Sequence, residues 1–179
     1  MKNYLTVTRK ELEVFIPFTD TNNRAILEAI HIRKNMIEAT NGYSLIQKEI
    51  KDNTLEKDIV LPIDVIKKLD KKAIYQLEID SKLSLAIFRS INTNDVIQCG
   101  LMTDDYPVTD ILKIAWNEQK VKEDNMKFHI GTKQLDCLVK SAKKAKREVI
   151  DITIYDGYRL PVEFSFGDNF TGFIMKVKK

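Results

Sequence analysis

The side chains that could carry covalent or metal chemistry are few in this chain, and nothing in their spacing joins them. Two cysteines, Cys99 and Cys137, and two histidines, His31 and His129, are the only residues of their kinds in 179. They show no metal-ligand spacing. Two cysteines without a secretory context read as thiols rather than as a disulfide framework. A nucleophilic arrangement would have to recruit His31 or His129, and both sit in stretches that read as strands, where a histidine is more often packed than a general base. Asp104-Asp105 form an adjacent acidic pair, but such pairs in a turn are usually only solvated. There is no Gly-x-Gly-x-x-Gly, no Gly-Lys-Ser/Thr and no His-Glu-x-x-His. No cofactor, metal or catalytic residue is expected, and the chain reads as a binding protein.

Binding chemistry is better represented. On a helical wheel of 132–147, Leu135, Leu138, Val139, Ala142 and Ala145 fall on one side, and Lys140, Lys143, Lys144 and Arg147 on the other. A second helical stretch carries Lys67, Lys68, Lys71 and Lys72 around a Val65/Ile66/Leu69 stripe. Lysines clothe many solvated helices and favour their C-termini through the dipole. They could also neutralise duplex phosphates without reading sequence. The net charge of +3, from 29 basic and 26 acidic residues, is too mild to decide between these.

These side chains need elements to position them, and one unit supplies the elements three times. Leu5-Thr6-Val7 alternates as a strand. Thr8 and Glu11 then make a capping-box pattern, and a helix over about Thr8–Pro17 carries Leu12, Phe15 and Ile16. Strands follow at Ala25–Ile32, Met36–Ala39 and Tyr43–Glu49, with a type I′ turn expected at Asn41-Gly42. The order β-α-β-β-β returns with Ile59-Val60-Leu61, a helix opened by Pro62, and strands at Ala73–Ile79, Leu83–Arg89 and Asp95–Met102. It returns again with Phe128-His129-Ile130, a helix after Gly131, and strands at Val149–Tyr155, Pro161–Phe166 and Thr171–Val177. Leu12, Ile66 and Leu135 take one repeat position, and Phe15, Leu69 and Leu138 another. Units this small must pack on one another to close a core. The fold class is α+β, and 44% hydrophobic with 31% charged residues is a globular composition. No apolar run is long enough to span a bilayer and no signal-peptide core is visible, so a cytoplasmic protein without a membrane partner is expected.

Three separated stretches resemble the bacterial DNA polymerase III β sliding clamp family. Ala39-Thr40-Asn41-Gly42-Tyr43-Ser44-Leu45 is similar to that family's Ala-Thr-Asp-Gly-(aromatic or His)-Arg-Leu segment, with Ser44 where arginine is usual. Asp105-Tyr106-Pro107 followed by Ile111-Leu112 resembles its acidic-Phe-Pro end of the middle domain. Gly172-Phe173-Ile174-Met175-Lys176-Val177 resembles its closing apolar-apolar-Met-Pro-Met strand, with Lys176 in place of proline. The resemblance implies a DNA-clamp-like arrangement of the three units, with sheets outside and helices on one face. It implies a complete two-unit domain over 1–107, a linker over 108–125 and a half domain over 126–179.

It also implies a peptide-binding groove formed by Thr40, Gly42, Tyr43, Ser44, Leu45, Pro107, Ile111, Leu112, Phe173, Ile174, Met175 and Val177. The DNA-facing residues would be Lys67, Lys68, Lys71, Lys72, Lys140, Lys143, Lys144 and Arg147. Partners would be proteins bearing clamp-binding motifs, such as DNA polymerase, together with duplex DNA bound without sequence specificity. Unpaired sheet edges imply a homo-oligomer. The implied function is a processivity factor. The alternative is a clamp mimic or regulator that binds clamp-interacting proteins, or a clamp, without encircling DNA.

Overall fold

The computed structural model describes residues 4–20, 24–51, 55, 57–107, 109, 129–154, 161–167 and 169–175. Unit 1 consists of β1 (Tyr4–Thr8), α1 (Arg9–Glu13), β2 (Ala29–Arg33), β3 (Met36–Thr40) and β4 (Ser44–Glu49). Unit 2 consists of β5 (Ile59–Pro62), α2 (Ile63–Lys68), β6 (Ile74–Asp80), β7 (Leu85–Ser90) and β8 (Val96–Gly100). The described part of unit 3 is α3 (Thr132–Lys144), β9 (Asp151–Thr153), β10 (Val162–Phe166) and β11 (Phe170–Ile174).

Units 1 and 2 are interlocked by exchange of their leading strands. β1 leaves its own unit to pair with β6, and β5 pairs with β2, both antiparallel. Among the described residues the results are a four-stranded sheet, β1-β6-β7-β8, and a seven-stranded one, β5-β2-β3-β4-β11-β10-β9. The second sheet runs without a break from unit 1 into unit 3 through the β4–β11 pair. On the helical side, α1 touches both α2 and α3, so the three described helices form one contiguous row.

Local signals account for most element ends. The Thr8 hydroxyl accepts the Glu11 N–H at 3.2 Å and caps α1. The reciprocal half of the capping box is absent, because the Glu11 carboxylate pairs with Lys48 on β4 instead. Pro17 shortens the expected helix, and Ile16–Phe18 turns as a 3-10 segment. Ala25–Leu27 is likewise a 3-10 turn, so the next strand starts at Ala29 rather than Ala25. The hairpin after β3 is not type I′. Only Gly42 has positive φ, +85°, while the Asn41 side-chain oxygen accepts the N–H groups of Tyr43 and Ser44 at 3.0 and 2.9 Å. Asn41 therefore shapes the turn through its side chain and leaves the left-handed conformation to the glycine.

Unit 3 departs from the expected repeat. His129 and Ile130 lie in no strand, and Phe128 falls outside the described residues. The α3 apolar stripe is also divided. Leu138 and Ala142 are buried, yet Leu135 is 45% and Val139 36% exposed. Leu138 is held because α3 docks on unit 1, where the fully buried Ser141 hydroxyl donates to the Val14 carbonyl at 2.7 Å. Behind this joint, Phe18 packs at 5.5 Å from Phe164, Phe15 at 5.8 Å from Phe170, and Phe166 stacks between Phe164 and Phe170. The fully buried rings among them, Phe15, Phe18, Phe164 and Phe166, each contribute on the order of 1.5–3 kcal/mol by burial.

Candidate peptide-binding seam and DNA-facing helix row

The β4–β11 seam brings two of the three motif stretches into one ladder. Leu45 lies opposite Phe173 and Ser44 opposite Ile174, and the Met175 N–H donates to the Tyr43 carbonyl at 2.9 Å. Along this seam the candidate residues split by depth. Thr40, Ser44, Leu45, Phe173 and Ile174 are buried, whereas Tyr43 is 65% and Met175 39% exposed. Gly42 and Pro107 are also exposed. Ile111, Leu112 and Val177 lie outside the described residues, as does the 108–125 connection apart from Thr109. Ser44, standing where the resemblance leads one to look for arginine, has a buried hydroxyl with no hydrogen-bond partner among the described residues.

The third stretch approaches from the other side of β3. The Tyr106 hydroxyl accepts the Thr40 N–H at 3.0 Å, and its ring stacks on His31 at 4.8 Å. Burial pushes the Tyr106 phenol well above its ordinary range, and the nearby Glu38 charge pushes it the same way. Beneath Tyr106 is a buried polar cluster that reading the sequence missed. Glu38, 1% exposed, binds His31 Nδ1 at 2.8 Å, Gln47 Nε2 at 2.6 Å and the Thr109 hydroxyl at 2.8 Å. Arg33 stands 3.5 Å away. Burial alone would raise the Glu38 carboxyl. The hydrogen bonds from His31, Gln47 and Thr109, with the Arg33 charge, outweigh that and hold it below the usual carboxylate range.

A signal for this cluster was present in the hairpin register. His31 faces Glu38 across β2–β3, and Glu38 faces Gln47 across β3–β4, so three polar residues fall in line. A cleft of about 550 Å³ opens beside it, lined among others by His31, Glu38, Asp58, Asp104 and Asp105. Among the described residues, no group of three or more His, Cys, Asp or Glu side chains is placed to hold a metal.

The basic candidates are all exposed on or next to α2 and α3. Several are already partnered. Lys67 meets Asp64 at 2.8 Å, Lys140 meets Asp136 at 2.5 Å, and Lys144 meets Glu13 at 3.6 Å. The Arg147 side chain lies over Gly167, within reach of any Cβ placed there. Lys68, Lys71, Lys72 and Lys143 have no ion pair among the described residues. The row is tied together by Arg9 of α1, which bridges Glu13 at 2.7 Å and donates to the Lys67 and Leu69 carbonyls at the end of α2, both at 2.8 Å.

Two antiparallel sheets with a row of short helices form the fold of the bacterial DNA polymerase sliding clamps. The DNA polymerase III β chain of Streptococcus pneumoniae superposes with a TM-score of 0.70 at 15% identity, over 100% of this chain and 66% of that one. The sliding clamp of Bacillus subtilis gives 0.67 at 12% identity, over 99% and 65%. That of Pseudomonas aeruginosa gives 0.66 at 8% identity, over 98% and 67%. The likeness thus spans about two thirds of the length of each clamp. No protein-family model and no curated protein sequence matches the chain.

Proposed function

We propose that this chain is a non-catalytic, sliding-clamp-like binding protein that holds replication or repair proteins, DNA polymerase among them, by a short peptide laid across the β4–β11 seam. The observation that carries this is the pairing of Tyr43 with Met175. Two large, exposed, partly apolar side chains stand on adjoining backbone, two residues along the seam from the buried Leu45–Phe173 pair. An adaptable methionine beside a rigid aromatic suits a pocket that accepts several apolar anchors. Pro107, exposed beside Tyr106, is available as a further wall.

A fluorescent peptide of the Gln-Leu-x-Leu-Phe type is expected to bind, and Tyr43→Ala with Met175→Ala to weaken it at least tenfold, about 1.4 kcal/mol. Because both residues are exposed, the melting temperature should barely move. Leu45 is avoided as a probe, since it is a core residue whose truncation would destabilise the seam itself. No measurable binding by the unmodified protein would overturn the proposal.

Whether the helix row also tracks duplex DNA, as a processivity factor requires, is a second proposition. Lys68 and Lys143 are the cations to test, being exposed and unpaired among the described residues. Under the encircling reading, Lys68→Glu with Lys143→Glu weakens association with duplex DNA and flattens its dependence on salt, by roughly 0.9 in log–log slope for each phosphate no longer neutralised. The alternative, a regulator that captures clamp partners without encircling DNA, draws support from the carboxylates already paired with Lys67, Lys140 and Lys144. Under that reading the double variant leaves peptide binding intact and reveals no DNA affinity to lose.

A further inference from the structure

Units 1 and 2 show what completes a unit of this kind. Each receives the other's leading strand on the first strand of its own sheet, β1 on β6 and β5 on β2. Each also buries the same helix position, and Leu12 and Ile66 are both 0% exposed. Among the described residues, the matching places in unit 3 are open. β9, which corresponds to β2 and β6, is an edge strand among the described residues. Leu135, which corresponds to Leu12 and Ile66, is 45% exposed. His129-Ile130, which corresponds to Thr6-Val7 and Val60-Leu61, belongs to no sheet.

The opening is specific to one side of the unit. Leu138, which corresponds to Phe15 and Leu69, is buried as they are, so α3 is correctly seated on the core. What is uncovered is the side that a paired unit would cover, and Val139 and Ile152 add apolar surface to unit 3, at 36% and 45% exposed. On the polar side of the same helix, Asp136 and Lys140 neutralise one another at 2.5 Å.

We propose that a second copy of this chain completes unit 3. Two third units pair about a two-fold axis. Each lays its His129-Ile130 segment along the other's β9, and each packs Leu135 and Val139 against the other's helix. A single unit holds both the strand to be donated and the edge that accepts it, which is the self-complementarity that a two-fold interface requires. The exchange repeats between chains what β1 and β5 do within one, and buries the apolar helix position that units 1 and 2 already bury. The inference does not depend on the peptide seam or on DNA binding.

The test is the solution mass of the full chain by light scattering or sedimentation. The expected value is two chains or an even multiple, falling to half or less in Leu135→Glu with Val139→Glu. Both positions are exposed in the single chain, so the variant should still fold cooperatively, melting like the parent diluted until it dissociates. Leu83→Glu, at a still more exposed leucine in unit 2, should leave the mass unchanged. Hydrogen exchange at Asp151–Thr153 gives a reading that needs no variant, namely protection that weakens on dilution. A single-chain mass at high micromolar concentration, an assembly that survives the double substitution, or exchange at β9 that is fast at every concentration would each overturn the inference.

Discussion

Gly172→Ala is expected to destabilise the protein by about 3 kcal/mol, at the upper end of the usual range for overpacking. Gly172 sits on β11 between Phe164 of β10 and Ile46 of β4, at the centre of the strand pair that joins units 1 and 3. A Cβ there would run into the carbonyl oxygen of Leu45 and the ring of Phe164. Neither neighbour can yield. Leu45 is held in register by Thr40 on one side and Phe173 on the other. The Phe164 ring is packed against Phe18 and Phe166. The strands must therefore part, and Tyr43 and Met175 separate with them. In thermal unfolding this should appear as a drop of about 6–12 °C, accompanied by loss of peptide binding. Gly100→Ala on β8, where a Cβ meets nothing within 4 Å, is the control and should change little. A Gly172→Ala protein melting within about 2 °C of the parent would show that the seam is not a rigid joint.

The repeat could be read from the sequence because each unit carries its signals locally. The helices show apolar spacing at Leu12/Phe15, Ile66/Leu69 and Leu135/Leu138, and the strands alternate around scarce turn residues. What could not be read is what one unit does to another. Nothing near Leu5 says that its strand will pair with Leu77 rather than within its own unit. Nothing near Leu135 distinguishes it from Leu12, since its exposure depends on a neighbour and not on its own helix. The candidate groove shows the same division. Resemblance, not periodicity, linked Tyr43 to Met175, and the ladder then sorted the candidates, placing Thr40, Ser44, Leu45 and Ile174 inside and leaving Tyr43 and Met175 outside. The Asn41-Gly42 turn falls where the sequence places it but is not type I′, because the Asn41 side-chain oxygen accepts the Tyr43 and Ser44 N–H groups and makes a second left-handed residue unnecessary.

The Glu38 cluster was hidden for a different reason, since one of its partners, Thr109, stands 71 residues away. Glu38→Ala is expected to destabilise the fold by about 3–5 kcal/mol, the range for removing one side of a buried charged network. The loss exceeds that of a single hydrogen bond because Gln47, Thr109 and His31 would all lose the acceptor they share. Glu38→Gln keeps an acceptor oxygen but must turn an NH2 group toward donors, so an intermediate loss is expected. The same carboxylate makes stability depend on pH. Its folded pKa lies below the ordinary value of 4.5, so the contribution is present above the unfolded pKa and is lost as pH falls through the folded one. Thermal melts of the parent should therefore drop more steeply than those of Glu38→Ala as the pH is lowered beneath 4.5. Because Tyr106 stacks on His31 and receives the Thr40 N–H, losing Glu38 should also loosen the 103–107 loop and speed hydrogen exchange at Thr40. Parallel acid profiles for parent and variant would mean that Glu38 is held by packing alone and that its hydrogen bonds contribute nothing net to the fold.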